Sequence, residues 1–413
     1  NTFIGKGAGD KTTTGNENIA IGLDAMGLGI TANTSATQGT YNIAMGSKAG
    51  YDLTTGQGNL LIGKSAGEEL TAANYNTGLG HATLEDSTSG PNTAVGALAG
   101  QNISTGTSNT FMGYLAGNAD CGNYNTAVGD NAFVKGTGAG NTVVGFDAGS
   151  STRNTTTALS GNNNTLVGNS AGYKLTTGPG NVLIGKSAGA ALDTGDYNVA
   201  IGYQAADGLA GGSDYNIAIG YDALGGSTLG SHSIAIGVNA LLVANNSSSK
   251  NLAIGASAGQ TISTGTQNVL IGHTAGYALA DDSDNTALGY NAMAGATAGA
   301  YNVAVGSHTM DAACSGDNNT ACGSHALGSA AADMDGNTAI GTSAFFGLNH
   351  ASADGNIAIG VDAGRNYETT PGSAPSPDGV MTQALNSIYI GNSSCGIHAT
   401  TADNEIVIGF NAV

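Results

Sequence analysis

The densest run of groups able to hold a cation is Asp281-Asp282-Ser283-Asp284. Its three carboxylates offer the hard oxygen ligands that Ca2+ takes. The run lacks the Gly-Gly-x-Gly-x-Asp pattern of calcium-binding rolls, so it reads as a solvated turn, with Asp281, Asp282 and Asp284 as weak metal candidates. Four of the seven histidines, His81, His273, His308 and His325, follow a glycine by one or two residues, which places them in a solvent-facing turn. The cysteines, Cys121, Cys314, Cys322 and Cys395, form no C-x-x-C, so zinc is not expected and no disulfide can be deduced. A Ser/His/Asp set can be assembled at will from so many residues and means nothing without geometry. Gly5-x-Gly7-x-Gly9 lacks the Gly-Lys-Ser/Thr ending of a phosphate loop. No catalytic residue, cofactor or resident metal is therefore expected, and the chain does not read as an enzyme. A polysaccharide-cleaving solenoid needs carboxylates gathered on one face; Asp and Glu here fall mostly in turns, without evident registry.

What must position any of these groups is a repeat. Twenty-three times a glycine closes the phrase Asn-x-Ala-Ile-Gly, followed by x-x-Ala. The first glycines are Gly5, Gly22, Gly46, Gly63, Gly80, Gly96 and Gly113, and the last is Gly409. The steps from Gly46 to Gly63 and from Gly80 to Gly96 are typical of most of the chain. A fixed period over a whole chain means a solenoid, here residues 1–413 as one continuous shaft. Composition agrees. Gly is 69 of 413 residues, yet there are five prolines and no triplet period, which excludes collagen. Charged residues are only 9 %, so the chain lacks the signature of disorder. The net charge of −19 and ten scattered basic residues argue against nucleic acid. No apolar run approaches the roughly 20 residues that span a bilayer, so membrane insertion is not expected.

Number each repeat from its glycine at zero. Position −1 is always apolar, and −3 is always Thr, Ile, Val or Leu, which favours a strand. Position −4 is Asn in 20 copies (Asn18, Asn42, Asn59, Asn76, Asn92 and Asn109 among them), and +3 is Ala in 20. Each repeat has room for two short strands and two turns. Positions −2 and +4 trade volume: Leu183 goes with Gly189, Phe111 with Gly117, but Ala127 with Phe133 and Ala218 with Leu224. Such a trade implies shared space in a close-packed core. With −2 inward, −1 and −3 point outward. A strand apolar on both faces must be covered on both. A single coil cannot cover its own outside, so the expected partner is the chain itself, in a parallel homotrimer. Twenty-three coils at the strand spacing would extend on the order of 110 Å. The Asn at −4 would stack into a ladder of side-chain amides, a structural role.

The phrase Asn-x-Ala-Ile-Gly-x-x-Ala resembles the head repeats of trimeric autotransporter adhesins, whose heads are left-handed parallel β-rolls. Asn59-Leu-Leu-Ile-Gly-Lys-Ser-Ala-Gly67 and Asn181-Val-Leu-Ile-Gly-Lys-Ser-Ala-Gly189 are similar to repeats of phage-type tail-fibre proteins, and Glu405-Ile-Val-Ile-Gly409 resembles a last repeat before a fibre tip. The adhesin repeat is shorter than this one. The resemblance implies an all-β parallel solenoid or β-roll, trimeric in its functional form, and no catalytic residues.

Three steps are clearly longer than the rest: Gly22 to Gly46, Gly145 to Gly168 and Gly360 to Gly391. They place insertions near 28–40, 150–162 and 365–385. Insertions in solenoids become loops, often on the binding face. Thr31, Asn33, Arg153, Asn154, Tyr367, Pro371, Pro375 and Pro377 are the candidate contact residues. The expected function is an extracellular fibre shaft of a virus or phage that attaches to a host-surface glycan or protein receptor; the alternative is a bacterial cell-surface adhesin head. A glycan-cleaving solenoid and an ice-binding solenoid are lesser alternatives. The second rests on Thr at −3 in Thr77, Thr93, Thr110, Thr126, Thr142 and Thr165, a run that gives way to aliphatic residues from Val182.

Overall fold

Positions −3 to −1 form a three-residue strand in nearly every repeat, as their β-branched and aliphatic residues favour. The computed structural model describes residues 1–12, 15–28, 39–150, 157–226, 230–243, 250–295, 299–312, 315–328, 334–347, 353–365, 384–394 and 402–412. They fall into two units, Asn1–Gly212 and Ser213–Val413. The first unit carries twelve repeat strands, from Thr2–Ile4 to Val199–Ile201. The second carries eleven, from Ile217–Ile219 to Ile406–Ile408, and a separate pair of two-residue strands, Ala384–Leu385 and Ala402–Asp403. Within each unit successive repeat strands pair parallel and in register, as in Ile19↔Ile43, Ala20↔Ala44, Ile21↔Met45 and in Ile217↔Ile234. Among the described residues there is no helix. The expected all-β parallel solenoid is the fold, and its coils repeat as regularly as the closing glycines do.

The coil carries one strand, not the two expected. The reason lies at +2 and +4, where the backbone is left-handed: Asp24 and Met26 have φ of 53° and 51°, Asn131 and Phe133 of 55° and 56°. A chain that turns left-handed at alternate residues cannot run extended. It hydrogen-bonds instead in alternating directions. The +2 amide of Lys48 donates back to Leu23 O (2.8 Å), and the +4 amide of Gly50 donates forward to Ala66 O (2.9 Å). The side opposite the sheet is thus saturated coil to coil without a strand. A third left-handed residue stands at −5, where Tyr41, Tyr124 and Tyr301 have φ of 63°, 63° and 59°. Non-glycine residues pay a steric penalty there, on the order of 1–2 kcal/mol each, so the flanking ladders must hold them.

The core is thin. Position −2 is buried in every described repeat after the first, whose Phe3 is exposed, and Ala at +3 is fully enclosed at Ala25, Ala49 and Ala66. The expected −2/+4 trade is direct contact. A Cβ on Gly189 would lie 2.8 Å from a Leu183 methyl, and one on Gly117 would lie 2.4 Å from the Phe111 ring. A third partner, unforeseen, stands at +7. Leu53, Leu70, Ile103, Leu175, Leu192, Ile262 and Leu279 are all fully buried there, each in a coil whose +4 is Gly. Where +4 is Phe133, position +7 is Gly136, whose Cβ would lie 2.1 Å from that ring. Coils small at both −2 and +4 are filled from next door: Gly50 faces Leu61 of the following coil at 3.1 Å.

Candidate functional site

The polar groups of the repeat are arranged in ladders along the coil stack. At −4, Asn42 Oδ1 accepts from the amide of Asn59 (2.9 Å) and from its Nδ2 (3.0 Å), while Asn42 Nδ2 donates to Asn18 Oδ1 (3.1 Å) and to Gly56 O of the next coil (2.9 Å). Asn18, Asn42, Asn59, Asn76, Asn92 and Asn109 are all buried, and each accepts the main-chain amide of the next Asn at 2.8–3.0 Å. The second unit has such a row of its own, where Ser233 takes a place: its amide donates to Asn216 Oδ1 (3.0 Å) and its Oγ accepts from the amide of Asn251 (3.3 Å). Buried amides demand such pairing, because an orphaned donor costs about 1–3 kcal/mol. The expected structural role of these asparagines is what the geometry displays.

Glycines at zero form a second row. At Gly22, Gly46, Gly63, Gly80, Gly96 and Gly113 a Cβ would meet the carbonyl oxygen of the next closing glycine at 2.1–2.7 Å, and φ lies between 125° and 140°. Close stacking of backbone on backbone leaves no room for a side chain.

A third row, missed in the sequence, runs at −6. There Asn74, Asn123, Asn162, Ser231, Ser283, Asp317, Asp335 and Asp354 each accept the main-chain amide of the −6 residue one coil earlier, at 2.7–3.0 Å. Acidic residues in the turns do therefore share a registry, contrary to the expectation. Their oxygens are engaged as amide acceptors, the same job that Asn and Ser do elsewhere in the row. The readable signal was the restriction of −6 to Asn, Asp and Ser in these coils.

The acidic cluster does not converge on one point. Asp281 Oδ1 accepts from the hydroxyls of Ser263 (2.6 Å) and Thr264 (2.7 Å) in the preceding coil, and these bonds hold its carboxyl below the usual range. Asp282 Oδ1 accepts from the Gly299 amide in the following coil (2.9 Å). Burial pushes the Asp282 carboxyl up, against that amide, and its Oδ2 has no partner. Asp284 takes the left-handed −5 place, with its amide on Thr266 O. Among the described residues no group of three or more His, Cys, Asp or Glu side chains could hold a metal ion.

Cys121 is buried, and desolvation raises its thiol to about 12, so it packs as a small apolar group. Cys322 is exposed in the −1 row. Two of the turn histidines, His308 and His325, are half-buried and stacked, not simply solvated.

The surface that keeps one chemical character through the coils is the outer face of the sheet. Strand burial follows the pattern half-buried, buried, exposed or half-buried, so −3 and −1 face outward. In the first unit Met112 is 48 % exposed, in a −1 row with Met45, Ile62 and Ile201; in the second Leu288 is 44 % exposed, in a −1 row with Ile340 and Ile359. Position −5 adds Tyr41 and Tyr124, 62 % and 70 % exposed, and +1 adds Tyr114, Phe146, Tyr203, Tyr221 and Tyr290. The −3 threonines, Thr77 to Thr165, stand in register on this face over six successive strands.

The candidate contact residues Thr31, Asn33, Arg153, Asn154, Tyr367, Pro371, Pro375 and Pro377 lie outside the described residues. Among those described, no helix is long and apolar enough to cross a membrane. The chain matches no family model and no curated protein.

Proposed function

We propose that the chain is the shaft of an extracellular fibre, of the kind carried by virus or phage tail fibres, and that it works by extension and attachment. The observation that carries this reading is the outward apolar face. Recurrent, exposed rows of Ile, Val, Leu, Met and Tyr are what a covered surface needs, and large exposed apolar patches mark interaction sites. The cover that matches a row repeating coil by coil is the same row on another copy, run parallel, and three copies close such a shaft. The ladders at −4 and −6 and the glycine stack serve length and stiffness, and they engage the polar side chains that chemistry would need. Attachment to a host-surface glycan or protein receptor falls to the insertions.

Negative-stain electron microscopy of the purified chain tests this: uniform thin rods support a shaft, and compact or amorphous particles refute it. Immunolabelling of virions against bacterial surfaces separates the tail-fibre reading from the adhesin one. The in-register threonines favour one second reading, ice binding through the same face. A thermal-hysteresis assay decides it, because a face covered by sister copies cannot also lie on ice.

A further inference from the structure

We propose that His308 and His325 form a two-imidazole site for a borderline divalent transition metal ion, Zn2+, Ni2+ or Cu2+, on the turn side of the second unit. Both residues occupy +2 of consecutive coils, in left-handed backbone with φ of 54° and 57°. Their rings are stacked 5.0 Å apart and only 7° from parallel. Each is preceded by a serine whose hydroxyl lies 2.9 Å from the ring Nδ1: Ser307 for His308, Ser324 for His325. With Nδ1–H donating to the hydroxyl, the lone pair stands on Nε2 in both rings. A hydrogen bond at the far nitrogen is the usual second support of a metal-bound imidazole, because it fixes both tautomer and ring orientation.

Imidazole suits these ions. Metal–nitrogen bonds of about 2.0–2.1 Å bring two cis or trans ring nitrogens to about 3–4 Å apart. Because each lone pair lies in its ring plane, the two rings, now 5.0 Å apart and parallel, must tilt out of their stack for both nitrogens to meet one ion, and water fills the other positions. His308 Nε2 now meets only the Asn291 amide nitrogen, at a long 3.3 Å, a contact that a metal replaces. The pair is flanked along the stack by Tyr290 at 5.2 Å and Phe346 at 6.1 Å, and the nearby guanidinium of Arg365 lies on the far aromatic, 5.2 Å from Phe346.

Asparagine is the substitution of choice, since Asn131, Asn239 and Asn291 hold the same left-handed +2 place in other coils. Calorimetric titration of the full chain with NiCl2 at neutral pH is expected to give one site that weakens about tenfold or more in His308→Asn and in His325→Asn, with far-ultraviolet circular dichroism unchanged. Ser307→Ala is expected to weaken it by about tenfold, the usual effect of losing an outer support. The Cu2+ form should show two nitrogen ligands by electron paramagnetic resonance in the wild type and one or none in the single variants. Unchanged Ni2+ affinity in the double variant H308N/H325N overturns the site, as does an equal loss in His273→Asn, which lies two coils away.

Discussion

Removing one methyl-bearing side chain should make room for another at a position that otherwise rejects it. Leu183 at −2 and Gly189 at +4 share one slot, and a Cβ on Gly189 would sit 2.8 and 2.9 Å from the two Leu183 methyls, inside the ordinary 3.4–4 Å. Leu183→Ala empties a fully buried site and is expected to cost about 2–5 kcal/mol, transfer and cavity together. Gly189→Ala alone is expected to cost about 1–3 kcal/mol by overpacking. Its left-handed backbone adds about 1–2 kcal/mol, the cost that Met26, Leu84 and Phe133 bear at +4 with φ of 51–56° where Gly189 has 58°. In the Leu183→Ala background the new Cβ meets empty space, so Gly189→Ala should lose the overpacking cost there and keep only the cost of its left-handed backbone. The two changes should therefore couple by about 1–3 kcal/mol, the size seen for residues in contact. Urea unfolding followed by circular dichroism gives the cycle. Native-state hydrogen exchange of the Gly168, Gly185 and Gly202 coils guards against partial unfolding of a long array. Additive effects within about 0.3–0.5 kcal/mol would refute the shared-slot account.

Three further outcomes follow from the ladders and the outer face. Asn109→Ala strips the buried Asn125 amide of its 2.8 Å acceptor and removes two side-chain bonds, so it should cost about 3 kcal/mol, whereas Asn109→Ser, the natural Ser233 solution, should cost about half; equal losses in urea titrations would contradict the ladder. Burial raises the Asp120 carboxyl but the Ser104 hydroxyl, Ser104 amide and Thr105 amide outweigh it, leaving it below its ordinary value; the stability it adds is present above the unfolded carboxyl range and lost as pH falls through the folded value, so the gap between wild type and Asp120→Asn should be clear at neutral pH and should narrow steadily as pH falls below about 4. Cys121 should resist iodoacetamide at pH 8 until the chain unfolds, while in a C314S/C395S background a short bismaleimide should join Cys322 to Cys322 of another copy; monomer-only products would count against parallel register.

Much of this was legible because the repeat is so strict. The period gave the solenoid, the aliphatics at −3 to −1 gave the strand, the recurrent Asn gave the ladder, and the Leu183/Gly189 exchange gave the inner slot. The second strand was misjudged because side-chain types at +1 to +6 do not disclose handedness directly. The clue was there in Asp24, Asn131, Asp222 and Asn239 at +2, residue types that tolerate the left-handed region. The +7 core column was hidden because Leu53 or Leu175 falls just where the repeats begin to differ in length. The −6 row escaped notice because Asn, Asp and Ser look like ordinary turn residues. Only the fold reveals that each accepts the same amide from the coil before. The histidine stack needed geometry for the same reason: His308 and His325 stand a full repeat apart in the chain, and only in-register coils bring their rings to 5.0 Å.

The mass of the chain in dilute, neutral buffer tests the central claim most directly. Multi-angle light scattering behind size exclusion should give three times 40.2 kDa, about 121 kDa, holding steady on dilution. A stable species of 40.2 kDa, with the −1 rows that carry Met112 in one unit and Leu288 in the other left in water, would contradict it.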